Sequence, residues 1–288
     1  MARPIVRRKI KHAFKEAGIP KHWFNGSVVA THITNGVNLL FPAGERFFVR
    51  SVKAFEHVYK DDPKMKADVK AFFGQEGNHA REHERYFQIL EDQGYDLSRF
   101  LAFYNWLGYE VFEKIAPKKL RLSTTAAAEH FTAIMAEQGL TYRWLEGVAP
   151  DVITDLMLWH AVEEIEHRSV AFDVLQRVDD DYWLRVAGMA VATVMLSSFW
   201  MLGSASLIRQ DGISLRQVLA ELRESRKSRR AATGDAKSSI GRDVFLKGIR
   251  EYLERDFHPD NNTRMDALAD AYIKERGLKT AGGSAQVA

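Results

Sequence analysis

The 288-residue sequence contains no cysteine. That excludes disulfides, thiolate metal sites, iron–sulfur clusters and cysteine nucleophiles, and leaves oxygen and nitrogen as the donors for any bound metal. Proline is scarce, with seven residues. Long helices can therefore run between Pro42, Pro63, Pro117 and Pro150, which mark the expected breaks. No nicotinamide or flavin fingerprint appears, so a reductant, if one is needed, is expected from a separate electron-donor protein. No secretory signal opens the chain. The basic start leads into Ile10-Lys11-His12-Ala13-Phe14-Lys15 rather than into an apolar run, and a cytoplasmic protein is the expectation.

Strong charge of one sign is also lacking: 41 basic residues face 38 acidic ones. The basic residues are nevertheless unevenly placed. Residues 3–21 hold Arg3, Arg7, Arg8, Lys9, Lys11, Lys15 and Lys21 against Glu16, and residues 209–230 hold Arg209, Arg216, Arg223, Arg226, Lys227, Arg229 and Arg230. Neither set interleaves the stacking aromatics of a nucleic-acid site. Each is either a solvated face or a contact for an anionic membrane surface. We read 1–25 as a basic amphipathic arm.

The chain has one long stretch without charge, the 23 residues Val186–Ile208 between Arg185 and Arg209. Its length suits a bilayer span, while Gly188, Ser197, Ser198, Gly203, Ser204 and Ser206 suit close packing in a buried helix. Peripheral attachment through this stretch and the N-terminal arm reconciles best with the absence of a signal.

Against these absences stand two mirrored clusters. Gln75-Glu76-Gly77-Asn78-His79 leads to His83, and His160 leads to Glu163-Glu164-Ile165-Glu166-His167. At helical spacing, Glu76, His79 and His83 fall within about 60° on one face, and so do His160, Glu164 and His167. Each lies in an apolar stripe of a predicted helix: Lys64–Gln93 for the first, Asp151–Val178 for the second. Two further stripes carry an inward acid, Glu45 in a helix over Gly44–Tyr59 and Glu129 in one over Ser123–Glu146. Burying a carboxylate is costly unless it is paired or binds metal.

Two helices giving one Glu each and two giving a Glu-x-x-His is the recipe of a carboxylate-bridged dimetal bundle. The expected fold is all-α: a ferritin-like four-helix bundle over 26–180, additional C-terminal helices over 181–278, and a disordered tail at 279–288. Glu45, Glu76, His79, Glu129, Glu164 and His167 are the expected ligands. Glu137 competes with Glu129, and Glu163 with Glu164; Glu163 lies beside the site face and is also a candidate hydrogen-bond partner to a ligand. His83 and His160 each serve as a third nitrogen ligand or as a hydrogen-bond partner to a carboxylate. His130 is expected at the surface or behind a ligand, and Glu166 and Glu56 in solvent. Phe48, Phe72, Phe73, Phe87, Met157 and Trp159 are candidates to line a substrate cavity, and Tyr86 or Trp159 to relay electrons.

The segments Phe41-Pro42-Ala43-Gly44-Glu45-Arg46-Phe47-Phe48, Gln75 through His83, Glu129-His130-Phe131-Thr132-Ala133 and Trp159 through His167 to Asp173 resemble the bacterial family of predicted metal-dependent hydrolases, a ferritin-like group. The resemblance covers about residues 20–185. It implies that Glu45, Glu76, His79, His83, Glu129, His160, Glu164 and His167 line a metal site. The pattern His160-x-x-x-Glu164-x-x-His167 is also similar to that of the di-iron aminoarene N-oxygenases.

Two metal ions are expected, iron first, with manganese or zinc as alternatives. The leading expectation is dioxygen-dependent oxidation of a small organic or lipid-like substrate. The alternative is hydrolysis by a metal-activated water with Glu163 as base, and a third reading is a non-catalytic metal-binding helical protein. Substrate identity and oligomeric state are not legible.

Overall fold

The computed structural model describes residues 5–278 and Thr280. These form helices and loops, with no strand among the described residues. The chain is all-α, as expected. The predicted tail at 279–288 lies outside the described residues apart from Thr280.

Helix α1 (Val28–Asn38) is capped by Ser27, whose side chain accepts from Ala30 N. Helix α2 (Phe41–Lys53) starts one turn before its predicted bound because Pro42 sits in its first turn, where a missing N–H costs nothing. It ends six residues early, and the chain continues as a 3₁₀ turn, Glu56–Val58. Helix α3 (Pro63–Asp92) matches its prediction to one residue at each end. Asp62 caps it and Pro63 occupies its first position.

The connection of about thirty residues that follows is itself helical. It runs through α4 (Ser98–Asn105), a π-helical stretch at Trp106–Phe112 and a single turn, α5 (Glu113–Ile115). Helix α6 (Lys118–Tyr142) begins right after Pro117 and stops at Arg143, which adopts a left-handed conformation with φ 44°.

The predicted fourth helix is two helices, α7 (Asp151–His167) and α8 (Val170–Val178). The break falls at Arg168, whose side chain donates back to Ile165 O at 2.6 Å and pairs with Asp266 at 2.9 Å. A buried arginine thus ties the end of α7 to the C-terminal region. No local sequence signal marks that bend.

Helix α2 packs along α3, α6 along α7, and the two pairs close on each other through α2 with α6 and α3 with α7. Two apolar clusters flank the polar interior. One contains Phe72, Phe131, Ile165 and Phe172, and the other Tyr86, Leu90, Leu156 and Trp159.

The charge-free stretch lies in α9 (Tyr182–Gln210), which packs on α6 and α1. Its small residues make this possible: Gly188 lies against the Ser123 backbone, where a Cβ would collide, and Gly203 lies close to Gly36 O, where one would be tight. By length and composition α9 is apolar enough to cross a membrane, and only 28% of its most apolar window is buried. Val194 and Met201 are 61% and 65% exposed. The chain ends in α10 (Leu215–Thr233), a π-helical stretch at Gly241–Leu246 running into α11 (Lys247–Tyr252), and α12 (Thr263–Glu275).

Among its described residues the N-terminal arm forms no helix. Residues 5–13 run without regular structure, and burial alternates: Val6, Arg8, His12 and Phe14 are buried while Arg7, Lys9, Lys11 and Ala13 are exposed. The amphipathic pattern has the period of two of an extended chain.

Candidate metal centre

Glu45 of α2, Glu76, His79 and His83 of α3, Glu129 of α6, and His160, Glu164 and His167 of α7 are all buried, none more than 5% exposed. Their ligand atoms fall into overlapping groups, each within 4.8 Å: Glu76 with Glu129 and His167, Glu45 with Glu76 and His79, His79 with His160 and Glu164, and Glu45 with His83 and His160. Glu164 is central. Its Oε1 lies 2.8 Å from His160 Nε2, 3.5 Å from His167 Nε2 and 3.6 Å from His79 Nδ1. At one end His167 Nε2 stands 3.1 Å from Glu76 and 3.2 Å from Glu129, and at the other His160 Nε2 stands 3.6 Å from Glu45.

Apart from the hydrogen bond between His160 and Glu164, these contacts are convergence rather than pairing. Both oxygens of Glu45, Glu76 and Glu129, Oε2 of Glu164, Nδ1 of His79 and Nε2 of His167 are buried without a hydrogen-bond partner. Buried polar atoms left unsatisfied are costly and rare. A ring of them aimed at a common space fits cations, and four carboxylates balance the charge of two divalent ions. Oxygen and imidazole donors without sulfur suit iron, manganese or zinc.

The electrostatics carry the same mark. Burial, then repulsion from Glu76 and Glu164, raises the Glu45 carboxyl well above its ordinary value. Burial and Glu129 do the same to Glu76, and burial pushes Glu129 up to about 7. Glu164 goes the other way. Burial opposes ionisation there, but His167 and His160 together hold it well below the usual range. Burial lowers His79 and His83, which keeps these rings neutral and able to donate a lone pair.

Each candidate ligand helix also reaches across to orient the other's imidazole. Glu163 of α7 accepts from His79 Nε2 at 3.0 Å, and Gln75 of α3 accepts from His167 Nδ1 at 2.9 Å. Gln75 Nε2 donates to Glu166 and to Val6 O, so its Oε1 must face His167. The acceptors fix the proton on the outer nitrogen of each ring and leave the inner one free. His83 stands behind His160, with 2.7 Å between His83 Nε2 and His160 Nδ1. Phe41, Trp159 and Phe72 wall the rings of His160, His79 and His167, at 4.6, 4.8 and 5.0 Å between centroids.

The N-terminal arm closes this layer as a strap between α3 and α7. Val6 N donates to Glu166 and Arg8 N to Glu163, each at 3.1 Å. On the other side, Gln75 donates to Val6 O and Asn78 to Arg8 O, at 3.1 and 3.2 Å. The Arg8 guanidinium, 3% exposed, forks onto Glu166 at 2.7 and 2.9 Å and reaches Glu163 at 3.4 Å.

Several expectations change here. Glu166 is buried, not solvated, because the strap covers the face of α7 that a helical wheel leaves outward. Glu163 gives Oε2 to His79 Nε2 and Oε1 to Arg8, the place of the hydrogen-bond partner that was its other expected role. Glu137 pairs with Lys247 at 2.5 Å, away from the centre. His130 is buried rather than at the surface. Its Nε2 meets Gly248 O at 3.2 Å, and burial lowers its pKa to about 4. Glu56 is exposed as expected.

Of the six aromatic and methionine residues expected around a cavity, Phe48 lines one beside Glu45, while Phe72 and Trp159 pack on imidazoles. Gln75, Asn78 and Arg8 had no expected role. The mirrored positions Gln75 and Glu163, each just before the Glu of a Glu-x-x-His, were the available signal.

A family model described as predicted metal-dependent hydrolase matches residues 6–263. Comparisons with curated proteins and with solved structures found no match.

Proposed function

Since the chain belongs to the family of predicted metal-dependent hydrolases, we propose that it is a hydrolase working through two divalent ions in the four-helix centre. The carrying observation is the set of orphaned, buried carboxylate and imidazole atoms that converge there. Glu76, Glu129 and His167 would hold one ion, and Glu45, His79 and His160 the other, with Glu164 between them. His83 backs His160. The ions would supply a water ionised near neutral pH and a Lewis acid for the substrate oxygen.

The chain's own groups do the rest. Glu163 and Gln75 hold the outer protons of His79 and His167. Arg8 offsets the charge of Glu163 and Glu166. Phe41, Phe72 and Trp159 exclude water from the imidazoles, which strengthens every charge interaction inside. With Glu163 turned to His79 and Arg8, Glu45, whose carboxyl also borders a cavity, is the group we assign as hydrolytic base.

One observation favours a redox reading as the second choice: the four-carboxylate, histidine set opens beside Glu45 on a cavity walled mainly by apolar side chains, which suits iron or manganese and a C–H substrate. The comparisons lend that reading no support. One experiment separates the two. Protein reconstituted with zinc, manganese or ferrous iron is assayed on model carboxylic and phosphoric esters and, in parallel, for oxygen uptake. Ester cleavage with redox-inert zinc supports hydrolysis. Oxygen uptake with iron and no cleavage with any metal would overturn it.

A further inference from the structure

Glu45 sits at the inner end of a cavity of about 100 Å³ between α2, the π-helical stretch at Trp106–Phe112, α6 and α9. Its walls are side chains such as Phe48, Phe112, Met195 and Leu196. The hydroxyls near it are engaged: Tyr109 donates to Tyr104 at 2.6 Å and Tyr104 to Leu40 O at 3.1 Å. Such a space offers an incoming molecule contact and little hydrogen bonding. At its rim Phe199 lies 6.0 Å from the ring of Phe103, which is 43% exposed.

Tyr109 also lines a second, open hollow. There Arg50, Lys114 and Arg121 face Glu110 and Glu113, while Arg46 pairs with Glu84 at 2.6 Å. The guanidinium of Arg50 forks onto Glu113 at 2.9 and 2.7 Å, and Arg121 reaches the same carboxylate at 3.8 Å, so an incoming anion would share both cations with Glu113. Arg121 Nε is buried without a partner. An apolar slot ending at a candidate metal ligand thus adjoins a basic hollow.

We propose that these adjoining cavities bind an anionic amphiphile, its alkyl chain in the slot toward Glu45 and its carboxylate or phosphate head on Arg50 and Arg121. The assignment rests on the reading of Glu45 as part of the metal centre and adds the substrate class. Helix α9 forms one wall of the slot through Ala192, Met195, Leu196 and Phe199.

The test is calorimetric titration of metal-loaded protein with alkyl carboxylates and alkyl phosphates from six to twelve carbons, below their micellar concentrations, and with the matching alcohols. Each added methylene is expected to tighten binding about fourfold until the slot is full. Anionic ligands should bind at least about tenfold tighter than the alcohols, a gap that Arg50→Gln closes. Leu196→Trp, which fills the slot, should remove the chain-length dependence, and metal content measured on each variant should stay at the wild-type value. The carboxylate and phosphate series distinguish the two head groups. Binding that ignores chain length, or alcohols that bind as well as anions, would overturn the proposal. If that happened with metal still bound, the metal-centre reading would stand alone; a wild-type protein that takes up no metal would sink that reading whatever the amphiphiles do.

Discussion

Among the described residues, two places bring histidines and carboxylates within metal-binding reach, and they differ in how their polar atoms are satisfied. In the four-helix centre, carboxylate oxygens and ring nitrogens converge without hydrogen-bond partners. At the end of α9, His22, His32 and Asp211 form a compact group as well, but Asp211 is fully engaged. It meets His32 at 2.5 Å, His22 at 3.1 Å, Tyr95 at 2.9 Å and the Lys21 ammonium at 2.9 Å. Although burial opposes it, hydrogen bonds from Lys21, His32, Tyr95 and His22 hold the Asp211 carboxyl well below the usual range. A lysine already supplies the positive charge there. Residue type and distance are alike at the two places, and satisfaction of the polar atoms tells a metal centre from a structural clasp.

The largest expected effect is at the centre. Glu76→Ala or His167→Ala should weaken metal binding by more than about 100-fold, read by competition with a chelating dye. Asp211→Ala should leave metal content unchanged and destabilise the fold by about 2–3 kcal/mol, since it strands His32 and Tyr95 in a buried network. Denaturant unfolding measures that. Metal loss in Asp211→Ala, or unchanged metal affinity in Glu76→Ala, would break the comparison.

Smaller effects come from the strap. Arg8→Ala should lower metal affinity about 10- to 100-fold, because Glu163 and Glu166 lose their counter-charge and the imidazoles their alignment. The cobalt-substituted protein should show a shifted visible spectrum, and Arg8→Lys should restore part of both. An affinity and spectrum like wild type would reduce the strap to a cover.

The smallest expected effect is a pH dependence. Folded apo-protein holds protons on Glu129, near 7, and on Glu45 and Glu76, all of which the unfolded chain has released by pH 6.5. Raising the pH from 6.5 to 8 therefore favours the unfolded state. The histidines with lowered pKa values oppose this only at the lower end of the window, where the unfolded imidazoles are still partly protonated, and His167, raised well above its ordinary value, adds to it. Chelator-treated protein should lose stability over that range, while metal-loaded protein, whose ligands are already deprotonated, should not. Equal slopes for the two forms would contradict the assignment of these carboxyls to the centre.

Much of the candidate centre was legible because helical spacing is a local property. Glu76, His79 and His83 recur at three and four residues, and so do His160, Glu164 and His167, each inside an apolar stripe. Glu45 and Glu129 were found the same way. What failed was set by distant chain segments. Glu166 looks solvated on the wheel of α7 because nothing local announces that residues 5–14 lie across it. The burial period of two through Val6, Arg8, His12 and Phe14 was visible in the sequence but was read as an arm of unspecified shape. The bend after His167 depends on Arg168 reaching Asp266, about a hundred residues away. The all-α class needed only periodicity, whereas the path of the long connection through α4 and a π-helical stretch needed tertiary packing.

The most direct measurement is anomalous diffraction at the metal absorption edge from crystals of metal-loaded protein. The account predicts two peaks inside the ring of Glu45, Glu76, Glu129 and Glu164, and none beside Asp211. A single peak outside that ring, or density at the His22–His32–Asp211 clasp with the four-helix centre empty, would contradict it.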